Sequence, residues 1–319
     1  MTHKGFIDLQ VNGYLGVDFT SASLQLDDIC RATEALVKAG TIGYCATLIT
    51  APLDIYQRNL SLIARAMEEP GVRGRLLGIH LEGPYLSAKE GARGAHQASW
   101  MRRPDPGEFD RIQDWARGNI RILTLAPELE SAISLIRHVT KKYSTRIALG
   151  HHLASREAIL KSVEAGASLV THLGNGCPNL LHRHENIIVH QLATDGLMAG
   201  IITDGNHIPE DFIRVVIKCK GPQRLFVVSD SAPIAGLKPG LYTNMGIKVR
   251  LSDSGRIEQL AAPYLAGSGC TIAECMRHLR SLAVLSEDEL WQAGFENPLR
   301  IIGISPASLA PNQLPDFRW

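Results

Sequence analysis

The chain has 319 residues, 33 Lys and Arg against 32 Asp and Glu, and 45% hydrophobic residues, a composition that excludes a disordered or collagen-like polymer. A net charge of +1 supplies no field to draw nucleic acid or an anionic membrane, so an anionic ligand must be caught by local groups. Six cysteines without a CxxC pair, and an N-terminus Met1-Thr2-His3-Lys4 that runs straight into an apolar strand, point to reduced thiols, no targeting segment and a cytoplasmic location, with Cys30, Cys45 and Cys219 expected in the core.

Short β-branched runs alternate with longer segments of helical period. The first strand is expected at residues 5–11, followed by a helix at 27–39, a strand at 43–49 and a helix at 53–68. Strands at 76–81, 120–125 and 146–149 come next, with helices at 109–116 and 128–143 before the last two. The helix at 155–165 shows its limits plainly, with Ser155 as N-cap, Arg156-Glu157 in the first turn and Gly166 as the stop. A strand at 169–171, a helix at 187–193, a strand at 198–202, a helix at 209–218 and a strand at 225–228 complete the series.

Eight strands with intervening helices, and no GxGxxG loop after the first, predict an α/β fold of the closed (β/α)8 TIM-barrel kind in a single domain over residues 1–319. Residues 239–260 read as a hairpin-like insertion. Helices are expected again at 271–282, 287–293 and 297–302, and the Pro-rich stretch 306–319 reads as an irregular tail.

Active sites of such barrels gather at the C-terminal ends of the strands. Chemically able residues fall there repeatedly: Gln10 and Asn12, Glu82, His151 and His152, His172, Asp204 and His207, and Asp230. A lone histidine after a strand is usually a capping or hydrogen-bonded residue. Glu82, His151 and His172 together, from three strands, instead suit a divalent first-row ion with positions open for water. Asp230 in Val-Val-Ser-Asp-Ser faces the same point and suits a proton carrier. In Asp204-Gly-Asn-His207 the imidazole is placed to hold substrate.

The residues Asp8-Leu-Gln-Val-Asn-Gly13, His80-Leu-Glu-Gly-Pro-Tyr85, Leu125-Ala-Pro-Glu128, Gly150-His-His152, Thr171-His-Leu-Gly-Asn175, Asp204-Gly-Asn-His207, Val228-Ser-Asp-Ser231 and Leu265-Ala-Gly-Ser268 resemble, in order, blocks of the N-acetylglucosamine-6-phosphate deacetylases of the amidohydrolase superfamily. The resemblance spans roughly residues 5–300. It implies Glu82, His151 and His172 as ligands of one divalent ion, Zn²⁺ first with Fe²⁺, Co²⁺ or Mn²⁺ as alternatives, and Asp230 as the acid/base. It also implies that His96 polarises the acetamide carbonyl, that Asn175 and Gly176 lie in the loop contacting the sugar phosphate, and that Arg183 and His207 make further phosphate or hydroxyl contacts.

The sequence departs from the resemblance at three places. Many superfamily members carry His-x-His on the first strand for a second metal; here Gln10 and Asn12 stand there, poorer ligands, so one ion is expected. The loop Gly-Cys-Pro-Asn-Leu-Leu-His-Arg-His-Glu after Asn175 differs from the family's Asn-Ala-Met and Gly-rich pattern. The family's small β-sandwich finds no room before the first strand or after the last helix, so a barrel without it is expected.

The function these readings imply is hydrolysis of the acetamide of an N-acetyl amino-sugar phosphate, N-acetylglucosamine 6-phosphate foremost. The rivals are hydrolysis of a cyclic amide or an unphosphorylated acetamide, and a non-catalytic metal- or sugar-phosphate-binding barrel. The expected partner is the small amino-sugar substrate, with no nucleic acid and no membrane, and a homodimer is the assembly to be checked.

Overall fold

In the computed structural model, which describes residues 5–244 and 246–310, eight parallel strands lie side by side in chain order. They are β1 Phe6–Val11, β2 Thr41–Leu48, β3 Leu76–Glu82, β4 Ile120–Leu125, β5 Arg146–Leu149, β6 Ala167–Val170, β7 Met198–Ile201 and β8 Leu225–Val227. Neighbours in sequence are neighbours in space, the order of a barrel rather than of a doubly wound sheet. The edges meet where Val11 bridges Ser231 and the Asn12 N–H donates to the Ser231 carbonyl at 2.9 Å, so the barrel is nearly closed.

Strands buried on both faces build two layers of core. Ile7, Leu9, Leu77, Ile122, Phe226 and Val228 pack together in one cluster with Leu299, Ile301 and Ile302. A larger cluster joins strand residues such as Phe6, Tyr44 and Leu123 to helix residues such as Ile29, Leu60 and Leu135. The pairing of β1 with β2 shifts register between Asp8 and Val11. That irregularity lets the successive residues Leu9 and Gln10 line one interior cavity, which strict alternation forbids.

The helices that follow the strands are α1 Leu26–Lys38, α2 Leu53–Ala66, α3 Pro106–Trp115, α4 Ala132–Lys142, α5 Arg156–Ala165, α6 Ile187–Leu192 and α7 Glu210–Lys220. Ser155 caps α5, its side chain accepting from the Ala158 N–H, and Gly166 closes it at φ 117°. α4 begins at Ala132, four residues later than its apolar period suggests, because Ser131 before it takes a left-handed backbone at φ 69°. Cys219, expected in the core, is exposed on α7: the buried stripe there runs through Ile213, Val216 and Lys220, and position 219 falls beside it.

After β8 the chain forms a three-stranded antiparallel sheet, β9 Gly240–Asn244, β10 Ile247–Leu251 and β11 Ile257–Gln259, where a hairpin was expected. The third strand is recruited because Val249, Leu251 and Ile257 share a small apolar core with Ala232 and Ile234. α8 Ile272–Ser281 follows, and the helices expected at 287–293 and 297–302 run on from one another through a π-helical turn at Gln292–Glu296. Of the predicted tail, Pro306–Ser308 makes a 3-10 turn, and residues 311–319 lie outside the described residues.

Candidate active site

Four polar side chains reach one end of the barrel from four different strands. Glu82 ends β3, His151 and His172 each lie two residues past β5 and β6, and Asp230 lies three past β8. His151, His172 and Asp230 all have positive φ, at 52°, 31° and 51°. Such conformations cost about 1–3 kcal/mol each in residues other than glycine and collect where a site over-determines them. All four are buried, with Asp230 the most exposed at 9%.

Three donor atoms form a small triangle. Glu82 Oε1 lies 3.2 Å from His151 Nε2 and 3.1 Å from His172 Nε2, and the two imidazole nitrogens are 3.1 Å apart. These are the edges expected between cis ligands of an ion with bonds of ~2.0–2.2 Å. The tautomer agrees: His151 Nδ1 lies 2.8 Å from the Ala92 carbonyl, which only accepts, so Nδ1 carries the proton and Nε2 presents its lone pair. A carboxylate oxygen and imidazole lone pairs converging in a buried place are a donor set that fits a divalent cation.

The His151 ring is held from both sides by glycines. A Cβ on Gly94 would stand 3.1 Å from His151 Cε1, and one on Gly176 would stand 2.9 Å from Nδ1. His152, the neighbouring imidazole, turns away: its Nδ1 accepts from the Ala154 N–H at 3.1 Å, and its Nε2 meets Gln191.

Gln10 and Asn12 organise the carboxylates. Gln10 Nε2 donates to Glu82 Oε1 at 2.9 Å and to Asp230 Oδ1 at 3.0 Å, while Asn12 Nδ2 donates to the same Asp230 oxygen at 2.8 Å. Beneath them Asp8 accepts from the Ser229 hydroxyl and the Ser229 N–H, fixing the turn that presents Asp230. Burial, then the charge of Glu82, pushes the Asp230 carboxyl up to about 6. Burial also opposes ionisation of Glu82, but His151 and His172 outweigh it when their Nε2 atoms carry a proton and hold that carboxyl well below the usual range.

His96 comes from the loop after β3. Its Nδ1 meets Thr50 Oγ1 at 3.0 Å and the Thr50 N–H at 3.3 Å. A backbone N–H only donates, so Nδ1 accepts and the proton of the neutral ring sits on Nε2. Burial, with a smaller part from His151, pushes His96 down to about 3, which keeps the ring neutral. Glu82, His96 and His151 offer donor atoms within 4.8 Å of one another. His96 Nε2 is nevertheless 3.9 Å from Glu82, farther than His172, so His172 completes the tight triangle and His96 stands beside it as a hydrogen-bond donor.

No family model matches the chain. A curated relative is 35% identical over 303 residues, 94% of this chain and 75% of the relative: the N-acetylglucosamine-6-phosphate deacetylase of Bacillus subtilis (strain 168). The chain belongs to the N-acetylglucosamine-6-phosphate deacetylase family. The deacetylase of Bos taurus is 32% identical, again over 94% of this chain and 74% of the relative. Among solved structures, a variant of the Mycobacterium smegmatis deacetylase in complex with N-acetyl-D-glucosamine-6-phosphate aligns with a TM-score of 0.85 and 28% identity, covering 94% of this chain and 77% of that one.

In this deacetylase-family barrel, the triangle, Asp230 and His96 open into a cavity of about 460 Å³, also lined by Asn175, Gly176 and His207. This size is ordinary for a small-molecule site. Asn175 Nδ2 donates to the His172 carbonyl at 3.2 Å, which ties the loop to the triangle. His207 Nδ1 bonds Asp204 Oδ2 at 2.8 Å, and the Ser268 hydroxyl donates to the same oxygen at 2.8 Å. Arg183 stands exposed on the loop after β6 and is not among the cavity-lining residues. Sequence reasoning missed Thr50, two residues past β2, although the strand-end rule would have found it. It also missed Arg256, which lines the cavity from the added sheet and carries no motif.

Proposed function

We propose that this chain hydrolyses the acetamide of N-acetylglucosamine 6-phosphate to acetate and glucosamine 6-phosphate. The observation that carries the reading is the Glu82–His151–His172 triangle, tied through Gln10 to Asp230 in one cavity of a chain of this family. A divalent ion held by those three residues would act as a Lewis acid and lower the pKa of water to about 7; Zn²⁺ is the first choice and Fe²⁺, Co²⁺ or Mn²⁺ the alternatives.

The chain's own residues do the rest. Both strand-one amides bond Asp230 Oδ1, so Oδ2 takes the proton of the attacking water and returns it to the leaving nitrogen, a role worth ~10²–10⁴ in rate. His96 Nε2–H donates to the acetamide oxygen as negative charge grows there. Asn175, Gly176 and His207 hold the sugar. Arg183 reaches its phosphate only if the loop after β6 closes over the mouth.

The reading includes a single catalytic unit over residues 1–319 and a cytoplasmic location, which six free cysteines favour. No helix of the described residues is long and apolar enough to cross a membrane. A homodimer is the assembly to check by sedimentation. The test is acetate release by this chain, after metal loading, from N-acetylglucosamine 6-phosphate and from plain N-acetylglucosamine. Turnover of the phosphate ester is expected; a metal-loaded protein releasing acetate from neither would overturn the reading.

A further inference from the structure

We propose that Arg256, carried by the sheet that follows β8, binds the anionic end of the substrate beside His207. The proposal rests on the sugar-phosphate reading above and deepens it. Of the described residues lining the cavity, Arg256 is the one Lys or Arg. The other side chains of fixed charge there are the carboxylates of Glu82 and Asp230, which give a phosphate ester nothing to pair with. A net charge of +1 supplies no general attraction, so the phosphate needs a cation of its own besides the ion that Glu82, His151 and His172 would hold at the acetamide, and Arg256 is the cationic side chain among the described residues lining the cavity.

Arg256 is placed with some rigidity. It ends the turn between β10 and β11, where the Ser252 N–H donates to the Arg256 carbonyl at 3.0 Å and the Gly255 N–H to the Ser252 carbonyl at 3.1 Å. The turn is pressed against the following chain: Gly255 has φ 77°, a Cβ on it would lie 2.6 Å from Cys270 Sγ, and its carbonyl accepts from the Gly269 N–H at 2.8 Å.

Asn206, the residue before His207, clamps the same turn. Its Nδ2 donates to the Ser254 carbonyl at 3.0 Å, its Oδ1 accepts from the Ser254 hydroxyl at 3.2 Å, and its own carbonyl accepts from Arg256 Nη1 at 3.2 Å. The guanidinium is therefore fixed next to the loop that carries His207, whose Nδ1 is occupied by Asp204. Arg256 Nε donates to Glu258 Oε1 at 2.7 Å, and the Nη2 edge carries no bond to any described residue. That edge, with the free nitrogen of His207, is what a phosphate would meet. Glu258 is half-exposed, and its charge weakens the site while it remains paired.

The test measures kcat and KM of the metal-loaded protein on N-acetylglucosamine 6-phosphate and on N-acetylglucosamine, with calorimetric binding of glucosamine 6-phosphate as a readout independent of turnover. Arg256→Gln should raise KM for the phosphate ester and weaken glucosamine 6-phosphate binding by about 10- to 150-fold, the range for a charge-assisted bond. It should leave kcat within about twofold and the unphosphorylated sugar unchanged. Glu258→Gln, which removes the competing negative charge and keeps the guanidinium, should lower KM for the ester alone.

Equal losses of Arg256→Gln on both sugars would assign Arg256 to holding the turn and overturn the proposal. So would an undiminished preference for the ester in Arg256→Gln, or a preference lost wholly in Arg183→Ala instead. A wild-type protein that turns over both sugars equally would overturn the 6-phosphate reading itself, and this proposal with it. That outcome is distinguishable because it appears before any substitution is made.

Discussion

Asp230 meets Gln10 and Asn12 through one oxygen and keeps the other for the proton, so its chemistry and its shape can be separated. Asp230→Asn preserves the shape. It should retain bound metal and substrate affinity and lose at least about 100-fold in kcat, the lower range for a general base; a variant keeping more than about a tenth of the rate would require another base. Gly176 tests the packing of a ligand instead. A methyl there meets His151 Nδ1 at 2.9 Å in a backbone with φ 61°, so Gly176→Ala should push the ring from the Ala92 carbonyl. Metal affinity should fall about 10- to 100-fold, as for other losses of a ligand's supporting contact. Excess metal should restore full metal occupancy, and an unaltered metal titration would show that the ring accommodates the methyl.

At the scale of elements, the contact of α6 with α7 contains a lysine that the active site does not use. Lys220, 1% exposed at the end of α7, donates to the Gln191 and Thr194 carbonyls at 2.7 Å each and so closes the C-terminal end of α6. Burial, reinforced by the Arg224 charge, pushes its amine from 10.5 down to about 8. Between those values the unfolded chain binds the proton that the folded chain has lost, so stability rises with pH through this window and the gain is lost as pH falls through about 8. Lys220→Met lacks the titration. Urea unfolding from pH 7.5 to 10 should show wild type gaining on the variant, by an amount on the order of 3 kcal/mol at the top of the window. Parallel curves would mean that the ammonium is retained in the fold. The comparison is of slopes, so a constant loss from two carbonyls left without a donor drops out.

For the whole molecule, an ion held by Glu82, His151 and His172 would be a staple as well as a Lewis acid, because these residues come from three strands and converge only in the folded barrel. Purified active protein should contain one equivalent of divalent ion by elemental analysis, since Gln10 and Asn12 are committed to the two carboxylates as donors. Two equivalents would require those amides to be displaced. Chelation should abolish acetate release and lower the melting temperature by several degrees, because free metal at 100 times its dissociation constant stabilises the fold by ~2.7 kcal/mol. An unchanged melting temperature would place the ion outside the folded core.

The sequence by itself determined the eight strands in order, the helices between them and the rim residues Glu82, His151, His172 and Asp230, because each reading depends on local period and on the position of a residue just past a strand. Boundaries slipped where the backbone left the helical region without a sequence signal, as at Ser131 with its left-handed φ of 69° before α4. The roles of Gln10 and Asn12 were half legible: their chemistry pointed to one metal ion rather than two, but their bonds to Glu82 and Asp230 span 72, 220 and 218 residues and follow from the curvature that brings β1 to β3 and β8. Thr50 behind His96, the glycines against His151 and the entry of Arg256 into the cavity were decided only by the tertiary structure. Each is a contact between side chains or backbone far apart in sequence, fixed by barrel closure and by the packing of the added sheet on its mouth, and no local pattern of residues encodes such a distance.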